Sequence, residues 1–108
     1  MKVNILGTDY ELKESDVTED IRLDGHDGYC DVTSKEVVVD RIPYKSANSV
    51  SEIDVRKRIV MRHELIHCLM FESGLDTQSF AADESLIDWI AIQFPKMARL
   101  FLECGCAS

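Results

Sequence analysis

The stretch His63-Glu64-Leu65-Ile66-His67 decides how the rest of the chain is interpreted. A capping-box pattern at Ser51-Glu52-Ile53-Asp54 predicts the start of a long helix that runs to about Glu72 and contains this stretch. On a helix, residues four apart are separated by about 40° of rotation and ~6 Å of rise, so His63 and His67 face the same way. The sequence therefore predicts a helix with two imidazoles on one face.

Two imidazoles at this spacing can each bring a nitrogen to about 2.0–2.1 Å from one ion. Glu64 lies about 100° around the helix from His63, beside such an ion but outside its coordination shell. A glutamate there can take a proton from metal-bound water and pass it to a leaving amine. We therefore predict metal-assisted hydrolysis, with His63 and His67 as metal ligands and Glu64 as the catalytic base.

The alternative is a helix whose two histidines hydrogen-bond locally or face water. The chain has only three histidines, and two of them are these. Apolar residues flank the pair, and two buried imidazoles without a ligand would each need a polar partner. This context favours the metal site.

The third metal ligand is predicted in Asp83-Glu84-Ser85-Leu86-Ile87-Asp88, because catalytic zinc sites have three protein ligands and one open position. A second helix is expected from near Ser79 to Phe94. Glu84 and Asp88 share one face of it, with Glu84 as the ligand. Asp88 is predicted to accept the other N–H of a ligating histidine and fix its tautomer. Otherwise Glu84 is an ordinary first-turn glutamate, favoured by the helix dipole.

The residue that would stabilise the oxyanion is left open between His26, Tyr29 and Tyr44. His26 lies in a turn rich in Asp and Gly, where a surface position is the other interpretation. Tyr44 falls in a linker loop expected from Arg41 to Ser51. Trp89, next to Asp88, is expected to pack between the helices.

The first forty residues predict strands and turns. Alternating apolar residues around Gly7 predict a hairpin, and two further strands are expected at Tyr29–Val32 and Glu36–Asp40. The predicted fold class is α+β: a small, twisted, mainly antiparallel sheet packed on the metal-binding helix, with the glutamate helix closing the site. We expect the strand at 36–40 to lie at the sheet edge, where an extended peptide could pair with it.

Two residues mark the ends of the helices. Gly74 is expected to end the first in a left-handed conformation. Pro95 predicts a break or a kink at the end of the second, and a short third helix is expected from Lys96 to Glu103.

Length and charge restrict the class of protein. The 108 residues predict one domain, 1–108, and the formal charge of -8 argues against a nucleic-acid partner. No apolar run approaches the ~20 residues needed to cross a bilayer, which argues against a membrane partner. The polar N-terminus does not resemble a signal peptide, so we expect a cytoplasmic protein whose four cysteines are reduced thiols.

With these motifs, the sequence resembles the gluzincin class of zinc metallopeptidases, in which a glutamate on a following helix is the third ligand. It more specifically resembles the short ImmA/IrrE-like metallopeptidases of bacteria and phages. The resemblance covers approximately Val37 to Phe94. The matching segments are Arg62 to His67, Glu72-Ser73-Gly74, Glu84 to Asp88, and Trp89-Ile90-Ala91.

The resemblance implies a Zn²⁺ cofactor and a peptide or protein substrate. It implies His63, His67 and Glu84 as ligands. It also implies Glu64 as the base and Asp88 as the support of a ligating histidine. One competing hypothesis is a catalytically weak zinc-binding adaptor or inhibitor module in phage–host regulation. The other is a purely structural domain without a metal.

Overall fold

The computed structural model describes residues 1–41, 50–78 and 82–108. Within these ranges the chain forms one four-stranded sheet and two α-helices. In chain order the elements are β1 (Lys2–Ile5), β2 (Thr8–Ser15), β3 (Gly28–Asp31), β4 (Glu36–Asp40), α1 (Val50–Glu72) and α2 (Glu84–Glu103). The predicted α+β class is confirmed: α1 packs on the sheet and α2 packs on α1.

The strand order in the sheet is β1-β2-β4-β3. β1 and β2 form the predicted hairpin, with Val3 opposite Tyr10, and β3 pairs antiparallel with β4. β2 and β4 run parallel, with Leu12 opposite Val37, so the sheet is mixed. Two of the three strand pairs are antiparallel, in agreement with the predicted mainly antiparallel sheet, and the central pair is parallel.

β4 is an inner strand, so the expectation that residues 36–40 form the sheet edge is wrong. Val37, Val38 and Val39 are all fully buried. Successive side chains of a strand point to opposite faces, so three buried neighbours indicate a strand covered on both faces. The edge strands are instead β1 and β3, and both contact α1.

Glu72 fixes the C-terminal end of α1 to the first hairpin. Its carboxylate accepts hydrogen bonds of 2.7 Å from the hydroxyls of Tyr10 and Thr8, and one of 3.1 Å from Lys35 Nζ. These donors hold the pKa of Glu72 below its ordinary value. The helix ends directly afterwards, and Gly74 has the predicted left-handed conformation with φ of +82°.

Cys30 in β3 and Cys68 in α1 are joined by a disulfide, with their Cα atoms 6.6 Å apart. The expectation that all four cysteines are free thiols is therefore wrong for this pair. The packing of β3 on α1 brings together two residues separated by 38 positions, which sequence spacing does not reveal. Cys104 and Cys106 are free and exposed.

α2 begins and ends later than predicted. The side chain of Asp83 caps the helix by accepting hydrogen bonds from the backbone N–H groups of Ser85 and Leu86. Glu84 is consequently the first helical residue. The helix then continues through Pro95 to Glu103, so the predicted break and the separate helix at 96–103 are wrong.

Arg62 explains how α2 accommodates Pro95. A proline has no N–H to donate to the carbonyl four residues earlier, which here is that of Ala91. The Nε–H of Arg62, on α1, donates to this carbonyl instead. One interhelical hydrogen bond thus replaces the bond that α2 lacks.

α2 turns a narrow apolar face towards α1. Ile87 and Ala91 are fully buried, and they lie on the same side of the helix as Glu84 and Asp88. Trp89 is 55% exposed, so the prediction that it packs between the helices is wrong. It lies on the side of α2 that faces away from this buried stripe, about 160° around the helix from Ile87.

Some predictions concern residues outside the described ranges. Tyr44 and most of the predicted linker fall in residues 42–49, and the expected start of the second helix falls in residues 79–81. Neither helix of the described residues has the length and apolar character needed to cross a membrane.

Candidate metal centre

His63 and His67 face each other across one turn of α1. Their Nε2 atoms are 3.2 Å apart, and both side chains are partly buried. Glu64, between them in sequence, turns towards the sheet and is 7% exposed. The helix thus presents two nitrogen atoms on one face and a buried carboxyl group beside them.

Glu84 brings a carboxylate from α2 to the two imidazoles. Its Oε2 lies 2.9 Å from Nε2 of His63, and its Oε1 lies 3.3 Å from Nε2 of His67. The Asp83 cap places Glu84 in the first turn of α2, at the end of the helix that meets the histidines. The three residues predicted as metal ligands are therefore next to one another.

These distances fit a single metal ion. The candidate ligand atoms of His63, His67 and Glu84 all lie within 4.8 Å of one another, so the group could hold an ion. Ligand atoms about 2.05 Å from a tetrahedral ion are separated by roughly 3.3 Å. The 3.2 Å between the two Nε2 atoms is close to this spacing, and each Nε2 has one oxygen of Glu84 at 2.9 or 3.3 Å.

Asp88 contacts the other nitrogen of His63. The distance from its Oδ1 to Nδ1 is 2.6 Å, a hydrogen bond in which a protonated Nδ1 donates to the carboxylate. With the proton on Nδ1, the lone pair of His63 is on Nε2, the atom that faces Glu84 and His67. This is the arrangement expected of a ligating histidine with an orienting carboxylate.

The pKa of Glu64 is raised to about 7, with burial as the main cause. The charge of His63 opposes this shift, and the nearby carboxylates of Glu84 and Asp88 add to it. The carboxyl group lies between two cavities, and it lines both.

We call these the His63 cavity and the His67 cavity. The His63 cavity has a volume of about 290 Å³ and lies between α1, α2 and the turn before β3. Its lining includes His26, Gly28, Arg56, His63, Glu64 and Asp88. The His67 cavity has a volume of about 410 Å³ and lies between β3 and the C-terminal end of α1. Its lining includes Gly28, Tyr29, Glu64, His67, Phe71 and Asp76.

The three oxyanion candidates have different surroundings. His26 is exposed and lines the His63 cavity with Glu64. Tyr29 lines the His67 cavity, but its hydroxyl donates to the carboxylate of Asp20. Burial and this hydrogen bond raise the pKa of Tyr29 above its ordinary value. Tyr44 lies outside the described residues, so the choice among the three stays a prediction.

Gly28 is a site residue that sequence reasoning missed. It starts β3 and lines both cavities. A Cβ atom there would lie 2.8 Å from the carbonyl oxygen of Val38, 2.9 Å from Cγ1 of Val60 and 3.4 Å from Cγ of Glu64. Gly28 belongs to the stretch rich in Asp and Gly around His26, which predicts only a turn, and nothing local in the sequence signals this close approach.

We expect Gly28→Ala to lower the free energy of unfolding by about 2 kcal/mol, because the added methyl group overpacks the contact between β3 and α1. Gly25→Ala is the comparison. It has open space around it but a φ of +75°, so it should cost about 1 kcal/mol of backbone strain. Urea denaturation measures both. A Gly28→Ala variant as stable as the wild type would show that β3 and α1 are not in close contact.

No protein-family model, curated protein or solved structure matches this chain. The geometry of His63, His67 and Glu84 alone therefore supports a metal-binding group. The resemblance to gluzincins and to ImmA/IrrE-like proteins stays a prediction from the motif.

Proposed function

We propose that this protein is a zinc-dependent metallopeptidase. The observation that carries the proposal is the convergence of His63, His67 and Glu84 within 4.8 Å beside the buried carboxyl group of Glu64. Two imidazoles and one carboxylate are a common ligand set of catalytic zinc. Three protein ligands leave one position of a tetrahedral ion for water or substrate.

The metal supplies the electrophilic part of this chemistry: bound zinc polarises carbonyl groups and acidifies water. His63, His67 and Glu84 would hold the ion. Asp88 keeps the proton of His63 on Nδ1 and so keeps Nε2 available as a ligand atom. In this proposal Glu64 accepts a proton from the attacking water and delivers it to the leaving amine.

β3 is the element along which we propose that the substrate binds. It is the last strand in the sheet order, and within the described residues no further strand pairs with its outer edge. An extended peptide can add to such an edge through main-chain hydrogen bonds. A peptide paired there would run past Gly28, where a Cβ atom would lie 3.4 Å from Cγ of Glu64.

The same residues support the proposed family. The resemblance to gluzincins assigns the third ligand to a glutamate on a following helix and a supporting role to the aspartate one turn later. Glu84 and Asp88 have contacts that suit these roles. We propose on this basis that the chain is a small gluzincin-type peptidase similar to ImmA/IrrE-like proteins.

Metal content and hydrolysis measured on the same sample test this function. We expect one zinc per chain by elemental analysis and cleavage of an unfolded protein such as casein. A chelator should remove both, and added zinc should restore both. A protein that binds one zinc but cleaves nothing would support the adaptor alternative, and a protein without metal would refute both.

A further inference from the structure

The His67 cavity has an acidic and aromatic lining. Tyr29 and Phe71 contribute aromatic rings, and Val32 contributes an aliphatic side chain. The ionisable residues of the lining are Glu64, His67 and Asp76, and among the described lining residues there is no Lys or Arg. Such a cavity can accept a long side chain with an apolar stem and a positively charged end.

Asp76 is the carboxylate available to such a charge. It lies in the short 3-10 turn Leu75–Thr77 that follows α1, and it is exposed. In the part of the chain that the structure describes, no Lys, Arg or His forms an ion pair with Asp76. This differs from Glu72, four residues earlier, which is already paired with Lys35.

The aromatic rings of this cavity attract cations within the chain itself. Lys35 Nζ lies 5.0 Å from the ring centroid of Phe71, and the guanidinium of Arg22 lies 4.4 Å from that of Tyr29. Both cations are neutralised by carboxylates, Lys35 by Glu72 and Arg22 by Asp20 among others. They therefore leave the cavity without an excess of positive charge.

The His63 cavity has a different charge pattern. Its lining contains Arg56, which forms an ion pair with Asp27 at 3.0 Å. The guanidinium of Arg56 would repel a cationic side chain in this cavity, and Asp27 is already paired with Arg56. The other carboxylates of this lining, Asp27 and Asp88, contact Arg56 and His63. The carboxylate without an ion pair among the described residues, Asp76, therefore lies on the His67 side of Glu64.

We propose that the His67 cavity is a subsite for a Lys or Arg side chain of an extended peptide, with Asp76 as the residue that determines this specificity. The inference rests on the proposed function, because it places the peptide along β3 beside the metal group. The aliphatic stem of the bound side chain packs on Tyr29 and Phe71. Its charged end pairs with Asp76 at the mouth of the cavity.

Peptide binding to the zinc-supplemented Glu64→Gln variant tests this inference without cleavage. The probes are capped, fluorescently labelled eight-residue peptides of Ala and Gly that carry one Lys, norleucine or Glu at the fifth position. We expect the Lys peptide to bind about fivefold more tightly than the norleucine peptide, and the Glu peptide to bind most weakly.

A second carboxylate substitution separates Asp76 from general charge effects. Adding Asp76→Asn should reduce the preference for Lys over norleucine to less than about twofold and leave norleucine binding unchanged. Asp54→Asn is the matched control. It is the same chemical change at an exposed position near the other end of α1, and it should keep the full preference.

The inference is overturned if Lys and norleucine peptides bind equally, if no peptide binds, or if Asp54→Asn lowers the preference as much as Asp76→Asn. These outcomes are separate from a failure of the proposed function. A chain that prefers Lys peptides but cleaves nothing loses the peptidase proposal and keeps this subsite. A chain that cleaves peptides without this preference loses the subsite alone.

Discussion

Replacing Glu64 with Gln should lower kcat for peptide hydrolysis at least about 100-fold, because removal of a general base costs 10²–10⁴ in rate. Glutamine has nearly the same shape but cannot accept the proton of the attacking water. The zinc content should stay at that of the wild type, since Glu64 is not among the three candidate ligands. Parallel kinetics and elemental analysis of both proteins provide the measurement.

Glu103→Gln is the matched control for this experiment. It removes one carboxylate at the exposed end of α2, away from the metal group, and should leave kcat unchanged. If the wild type hydrolyses the peptide and Glu64→Gln does so at the same rate, Glu64 has no role in the mechanism. If both proteins bind the same amount of zinc and neither hydrolyses the peptide, the adaptor hypothesis is favoured.

Replacing Glu84 with Ala should lower zinc occupancy and thermal stability together. An ion bound only by the native state stabilises it by mass action, by about 2.7 kcal/mol when free zinc is 100 times its Kd. Loss of one of three ligands should remove most of this gain. For a domain of this size the loss corresponds to a decrease in Tm of roughly 10 °C.

The metal-free proteins provide the control for Glu84→Ala. The side chain of Glu84 is 63% exposed, so its contacts with the two histidines should add little stability without an ion. We therefore expect the two apoproteins to melt within about 2 °C of each other. Unchanged zinc stoichiometry in Glu84→Ala would remove Glu84 from the set of ligands.

The elements that bring the metal group together follow local rules, and these could be predicted. His63 and His67 meet because any helix places residues four apart on one face. Glu84 and Asp88 are also four residues apart on α2, so the sequence predicts that they share a face. The sequence does not predict how close the two helices lie to each other, because helical periodicity does not extend through the loop that joins them.

The predictions that are wrong concern contacts between residues far apart in the sequence. The three successive valines at 37–39 contain the sign of an inner strand, because an edge strand rarely needs apolar residues on both faces. Pro95 predicts a helix break or kink, but the guanidinium of Arg62 donates to the carbonyl of Ala91, 29 positions further along the chain, in place of the N–H that Pro95 lacks. The approach of Gly28 to α1 and the pairing of Cys30 with Cys68 likewise depend on tertiary packing.

The open side of β3 also bears on how the protein avoids self-association. A strand whose outer amides and carbonyls can receive a substrate can, by the same hydrogen bonds, receive the strand of a neighbouring molecule. β3 has four residues, and carboxylates lie at its two ends in Asp27 and Asp31. Both carboxylates form ion pairs within the chain, Asp27 with Arg56 and Asp31 with Arg22. A strand of only four residues offers few main-chain hydrogen bonds to a second copy, so its shortness disfavours fibril-like stacking while a single extended peptide can still bind.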